Sequence, residues 1–249
     1  MNAYGALAQS YDRLTNDVDY SAVVAFYLQI LEREGLNPRT VVDLACGTGS
    51  VALILAQMGL QVTAVDLSEE MLCVASQKAY EMKNPPQFIC QPLQKLRLSR
   101  GVDLAVCALD SLDYITDPAD CAEAIRRVYK VLNPVGCFIF DVNTPEKMNA
   151  MDGQVFLDED EDVYCVWRGS FDAETNICSY GMDLFQRDGN VWQRTFEEHL
   201  EYAYTPEQLT KFLRDAGFNR IEIFADRKFC SPGEGEQRIY FIARKGIVK

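Results

Sequence analysis

The sequence predicts a doubly wound, mostly parallel α/β sheet of seven strands, with an antiparallel β-meander inserted after the fifth. Three observations predict it. Short apolar runs alternate with helical stretches from about residue 40 to 142, the pattern of a parallel sheet. A glycine turn, Gly47-Thr48-Gly49, joins the first of those runs to a helix. Between 150 and 204 the pattern changes to turn-separated stretches with alternating polarity and no convincing helix.

Taken in order, Tyr4, Leu7, Ala8, Tyr11 and Leu14 fall at helical spacing and predict a short amphipathic helix over 3–16. A second helix is expected to start at Ser21 as its cap and to stop at Gly35. The opening strand, Thr40 to Ala45, is too short for a helix and rich in the branched residues of a buried strand. The next helix starts at Ser50 and ends at Gly59. A second strand, Gln61 to Asp66, leads to a helix capped by Ser68, and Phe88 to Gln91 reads as a brief third strand. Val102 to Leu109 is the fourth strand. Asp117-Pro118 starts a helix to about Leu132, and Asn133-Pro134-Val135-Gly136 turns into a fifth strand, Cys137 to Val142.

In the insert, Asp158 to Asp162 reads as an acidic loop, followed by alternating stretches at 163–171, 177–186 and 191–204. Thr205-Pro206 then caps a helix that Gly217 ends, and strands at 221–224 and 238–243 close the pattern. The expected organisation is one domain over 1–249, with a helical lid over about 1–34 and the inserted cap over about 150–204.

Composition narrows the function. The chain has 249 residues, 48% hydrophobic, enough for a sizeable core. Its formal net charge of -13 argues against a nucleic-acid partner, which selects Lys/Arg-rich faces. The nine cysteines are scattered without a C-x-x-C pair, and there is a single histidine, so no metal site is expected. Scattered thiols, the lack of a signal-peptide pattern and the lack of a membrane-length apolar run lead to the expectation of a cytoplasmic protein that does not associate with membranes. Oligomeric state is not readable from the sequence.

The glycine turn also fits the dinucleotide pattern, and Asp66, 17 positions after Gly49, stands where an acid can meet ribose hydroxyls. An NAD-dependent oxidoreductase is therefore an alternative. Asp43, four positions before Gly47, opposes it, because a carboxylate beside the turn repels a pyrophosphate. A cationic, phosphate-free ligand suits an acidic lining.

The stretches Val42-Asp43-Leu44-Ala45-Cys46-Gly47-Thr48-Gly49 and Val65-Asp66-Leu67-Ser68-Glu69-Glu70-Met71-Leu72 resemble those of the class I S-adenosylmethionine-dependent methyltransferases. The resemblance covers the α/β portions and implies a Rossmann-like fold. It implies S-adenosyl-L-methionine as cofactor, leaving as S-adenosyl-L-homocysteine. Gly47, Gly49 and the main chain at Ala45 would receive its methionine part, with Asp43 orienting the turn. Asp66 would take the ribose, and Leu67 and Met71 would flank the adenine. Gln91, Pro92 and Leu93 stand where the family has its adenine-amino acceptor, although the family residue there is usually acidic. Tyr11-Asp12 resembles the segment of a lid over the cofactor, and Ala108 belongs with the cofactor residues.

Chemistry is expected after the fourth strand, at Asp110, Asp113 and Tyr114, because ligands sit at the carboxyl ends of such strands. Methyl transfer is an in-line displacement and needs a base only for a protonated acceptor. His199, on the meander, is either a base or an anchor lining the substrate cavity, or a solvent-facing strand residue. Trp167, Arg168 and Tyr202 are expected to shape the acceptor pocket. The insert is similar to those of small-molecule methyltransferases, including amino-sugar N,N-dimethyltransferases. The function expected is therefore methyl transfer to N or O of a small-molecule acceptor. The alternatives are the oxidoreductase and a non-catalytic S-adenosylmethionine-binding module.

Overall fold

In a computed structural model, residues 11–15 and 18–246 are described. The predicted helix over 3–16 falls mostly outside them, and α1 is its described part, Tyr11–Leu14. Helix α2 spans Tyr20–Arg33, and its cap is Asp19, which accepts the Ala22 N–H, rather than Ser21. Asp19 wins because its carboxylate also opposes the positive end of the helix.

The parallel strands are β1 (Thr40–Leu44), β2 (Gln61–Asp66), β3 (Gln87–Cys90), β4 (Val102–Cys107) and β5 (Leu132–Asn143). Between them run α3 (Ser50–Gln57), α4 (Glu69–Lys78) and α5 (Pro118–Val131). Ser68 caps α4 and Asp117 caps α5, as their positions predict. Helix α6 (Pro145–Ala150), which was not anticipated, follows β5. After the second sheet come α7 (Pro206–Ala216), then β10 (Arg220–Ala225) and β11 (Arg238–Arg244).

The seven-stranded order is β10-β11-β5-β4-β1-β2-β3, with β11 antiparallel to both neighbours and the other pairs parallel. Both faces are covered. Val42 and Leu44 pack with α5 and α7, while Val41 packs with α2 and α3. Burial on two faces is why these strands read as continuous apolar runs. The chain passes from β1 to β2 on one side and to β4 on the other. That leaves a crevice at their carboxyl ends.

Two sequence expectations fail locally. Asn133 to Gly136 lies within β5 as a register break against β4, where Val102 pairs with Leu132 and Leu104 with Cys137. Val135 takes a φ of 61° there. Strand β4 also ends at Cys107, and Leu109 and Asp110 turn away with φ of 55° and 52°. Apolar composition extends past the strand because Leu109 packs against the core from a turn.

The second sheet has four strands, β6 (Val155–Asp160), β7 (Val163–Asp172), β8 (Ile177–Asp188) and β9 (Val191–Tyr202), paired antiparallel in that order. The predicted acidic loop is thus corrected: Asp158 to Asp160 belong to β6, and Glu161-Asp162 alone make the hairpin turn. An exposed edge strand carries charges without penalty, so its acidity resembles that of a loop. No helix of the described residues is long and apolar enough to cross a membrane.

Candidate functional site

Three left-handed residues shape the turn after β1: Ala45, Gly47 and Gly49, with φ of 52°, 53° and 81°. Glycine takes this conformation freely and alanine at a cost, so the strain at Ala45 marks a position the surrounding structure holds. A Cβ on Gly49 would meet Ala75 Cβ at 3.0 Å, so this glycine also permits close packing on α4. The Cys46 N–H reaches Val65 O at 3.0 Å, and the Gly47 N–H donates to Asp66 Oδ2 at 2.7 Å. Asp66 Oδ1 takes the Ser68 N–H at 2.9 Å. The turn after β1 is therefore fastened to the end of β2.

Asp43 is 1% exposed and lies on the α3 side of β1. It accepts the backbone N–H of Ala52 in the first turn of α3. Its Oδ2 has no hydrogen-bond partner among the described residues. Burial, followed by repulsion from Asp66, pushes its carboxyl up to about 8, and burial raises Asp66 as well. A buried acid with an open acceptor, beside a half-buried one, forms a site that a cationic group relieves and a phosphate aggravates. These residues fit S-adenosylmethionine, which carries an ammonium and a sulfonium but no phosphate.

The cleft beside the turn is lined by Tyr11, Tyr20, Asp43, Gly47, Ala108 and Ser111, among others. Asp12, on α1, accepts the Thr48 hydroxyl at 2.5 Å and pairs with Lys78 Nζ at 2.7 Å. Tyr11 packs against the inner face of the second sheet, beside Val163 and Met182. So α1 touches the glycine turn, α4 and the second sheet together.

A neighbouring cleft, sharing Ala45 and Ser111, is lined by Leu67, Gln91, Pro92, Leu93 and Tyr114. Leu67 is exposed at its rim. Gln91 uses its amide to clasp the Arg97 backbone, accepting its N–H at 3.2 Å and donating to its carbonyl at 3.3 Å. Met71 is buried within α4.

At the end of β4, Asp141 on β5 accepts the Leu109 N–H at 2.9 Å and the Asp110 N–H at 3.1 Å. Arg238 on β11 bonds Asp141 and reaches Asp110 Oδ1 at 2.6 Å. This pairing holds two left-handed residues in place. Asp113 is fully buried and accepts the Asn143 N–H at 2.9 Å. Its carboxyl is pushed well above the usual range by burial, then by Glu201.

The inner face of β9 carries His199 and Glu201, both buried. His199 lies edge-on to Tyr114 at 6.0 Å and 5.8 Å from Trp167, and Tyr180 is its register partner on β8. Of the two sequence readings of His199, the solvent-facing one is ruled out. Arg168 alternates to the opposite face, where it pairs with Asp183. Tyr202 also faces away from Glu201 and packs at 4.5 Å on Tyr204. The structure therefore gathers Asp110, Asp113, Tyr114, Trp167 and His199, but not Arg168 or Tyr202.

Sequence reasoning placed Asp12 in the lid segment without its partners, and it missed Asp141, Glu201 and Arg238. Asp141 had a signal, a lone charge in the apolar run Cys137 to Val142. Glu201 shares the period of two with His199. Arg238 had none, because its partners are remote in sequence, and nothing local to Asp12 points to Thr48 or Lys78.

The family model described as "Methyltransferase domain" matches residues 41–136. A Geobacillus sp. (strain WCH70) protein named as a methyltransferase is 31% identical over 245 residues, covering 97% of this chain and 99% of that one. A crystal structure titled as an S-adenosylmethionine-dependent methyltransferase from Clostridium acetobutylicum ATCC 824 is 32% identical. It covers 98% of this chain and 100% of its own, with a TM-score of 0.88. The fold also extends to an amino pentose methyltransferase from Micromonospora echinaspora, solved with the cofactor bound. That protein has a TM-score of 0.74 at 18% identity and covers 98% of this chain and 99% of its own. The acidic turn and the full-length likeness have one reading: the chain belongs to the S-adenosylmethionine-dependent methyltransferases and is such an enzyme.

Proposed function

We propose that this enzyme methylates an N or O nucleophile of a small molecule by in-line displacement. The observation that carries the reading is the enclosure of the β4 end. The inner face of the second sheet, Tyr114 and α1 surround it, which suits a compact acceptor and not a polymer. The net charge of -13 also speaks against a nucleic-acid acceptor. The cofactor, when bound, supplies an electrophilic methyl group on a sulfonium. Gly47, Gly49 and Ala45 bring main chain to its methionine part, Asp43 meets its positive charge, and Asp66 offers the lone pairs its two backbone bonds leave open. Leu67, Gln91, Pro92 and Leu93 would line the adenine side, where Gln91's amide is already engaged, and Ala108 lines the cleft beside the glycine turn.

In this reading residues 1–249 work as one catalytic unit. The N-terminal helices form a lid over the cofactor, and the stretch 150–204 forms a cap over the acceptor. Water exclusion and alignment are the main tasks, done by Tyr11, Tyr20, Tyr114 and Trp167. Nine unpaired cysteines suit a reducing, cytoplasmic setting. Screening small amines and hydroxyl compounds with a labelled methyl donor tests the proposal. Transfer to members of one class is expected. Cofactor binding with turnover on RNA or protein alone would overturn it, and binding without any turnover would favour a non-catalytic binding module.

A further inference from the structure

Four acids meet where the parallel sheet faces the second sheet. Asp110 and Asp113 come from the β4 loop, Asp141 from β5 and Glu201 from β9. Two cations reach them among the described residues. Arg238 bonds Asp110 and Asp141, and Lys147 is held through Asn143 Oδ1 at 2.7 Å. The cluster thus holds more acid than base. Asp113 shows the consequence: it is 0% exposed, and its Oδ1 has no hydrogen-bond partner among the described residues. An unmatched buried carboxylate oxygen is costly unless a donor or cation completes it.

The aromatic rings are an independent observation. Tyr114, Trp167 and Tyr180 surround the same ground, with His199 between them. Ring faces beside carboxylates are how proteins hold ammonium groups. Glu201 accepts the Asn143 side-chain amide at 3.3 Å and is also bonded by Tyr114, which places it beneath this ring set.

We propose that the acceptor is bound as an ammonium by Asp110 and Glu201 beneath these rings, and that Glu201 takes the proton that frees its nitrogen for methylation. The proposal rests on the small-molecule transferase reading above. The Glu201 carboxylate removes one N–H proton. The nitrogen lone pair forms a bond to the methyl carbon while the carbon–sulfur bond breaks, its electron pair going to sulfur. The product leaves as a methylated ammonium, and the proton on Glu201 passes to water.

Burial, with Asp110 next, pushes the Glu201 carboxyl up to about 8. Its proton affinity is thereby brought nearer to that of an alkyl amine, so the transfer is less uphill. The titratable and charged groups facing it are Asp110, Asp113 and Tyr114 from the β4 loop and Lys147 from α6. Cys178 and Tyr180 face it from β8, and Glu197 and His199 share its face of β9. Arg238 on β11 and Asp141 on β5 join this field through Asp110. Glu201 must start ionised, so activity rises with pH toward that value.

Calorimetry on protein loaded with S-adenosylhomocysteine tests this, with benzylamine and benzyl alcohol as probes in buffers of different ionisation heat. Benzylamine is expected to bind about tenfold tighter at neutral pH, with proton release from Glu201. Glu201→Gln is expected to lose both the preference and the release while keeping its melting temperature and its S-adenosylhomocysteine affinity. Glu201→Asp keeps the charge and is expected to keep part of the preference. Equal binding of the two probes, failure to bind either, or unchanged proton release in Glu201→Gln would overturn the proposal. Failure of the unaltered protein to bind S-adenosylhomocysteine would instead overturn the transferase reading.

Discussion

Asp66 holds Gly47: the carboxylate at the end of β2 accepts the glycine N–H at 2.7 Å, just beyond the paired ends of β1 and β2. Its other oxygen takes the Ser68 N–H at 2.9 Å, so one side chain sets both the cofactor turn and the entry to α4. Replacing it with alanine leaves two backbone donors unmatched. Charge-assisted bonds of this kind are each worth about 1.5–3 kcal/mol. Asp66→Ala is expected to weaken S-adenosylhomocysteine binding by roughly tenfold to a hundredfold by calorimetry. Unchanged affinity would contradict the role of Asp66 in the site.

Asp43 makes cofactor binding pH-dependent. Its carboxyl, pushed up to about 8 chiefly by burial and then by Asp66, must ionise to meet the ammonium of the ligand. Affinity therefore falls as pH drops below that value, approaching about tenfold per pH unit. The stability sign runs the other way in the ligand-free protein. A carboxyl raised on folding favours the folded state at low pH, and that contribution is lost as pH rises from its ordinary 3.8 toward about 8. Asp43→Asn is expected to flatten the affinity profile. A variant with the parent's slope would remove Asp43 as its source.

Arg238 offsets a buried charge. Asp141 is 0% exposed and depends on Arg238 and two backbone N–H groups. Removing one partner of a buried pair costs about 3–5 kcal/mol. Arg238→Met is expected to lose about that much in urea denaturation, and Arg238→Lys less. A loss under about 1 kcal/mol would show that Asp141 is satisfied without it.

Asp12 ties α1 to the glycine turn. Its bonds to Thr48 and Lys78 are partly exposed, so their worth is about 1 kcal/mol. Asp12→Ala is expected to raise the S-adenosylhomocysteine dissociation constant about fivefold and to speed its release in stopped flow. Global stability is expected to change little. An unaltered release rate would mean that α1 does not gate the site.

The seven-stranded sheet was legible because each element announces itself locally. Buried parallel strands are unbroken apolar runs, and Ser68, Asp117 and Thr205 sit where helix caps must. Asp43 and Asp66 were legible as charges at strand ends flanking a glycine turn. Strand β6 was not, because an exposed edge is under no apolar constraint and its acids look like a loop. The α2 cap was misplaced because Asp19 and Ser21 are both good caps, and only geometry chooses between them.

The sequence by itself determined the succession of strands and helices that builds the seven-stranded sheet, the acidic cofactor turn and the class of reaction, since these rest on residues close together in the chain. Tertiary structure alone decided that Arg238 answers Asp110, that Asp12 answers Thr48 and that Glu201 lies with Asp113. It also decided which way His199 faces. The physical reason is that burial and pairing depend on what other elements bring from far along the chain. No local period carries that information.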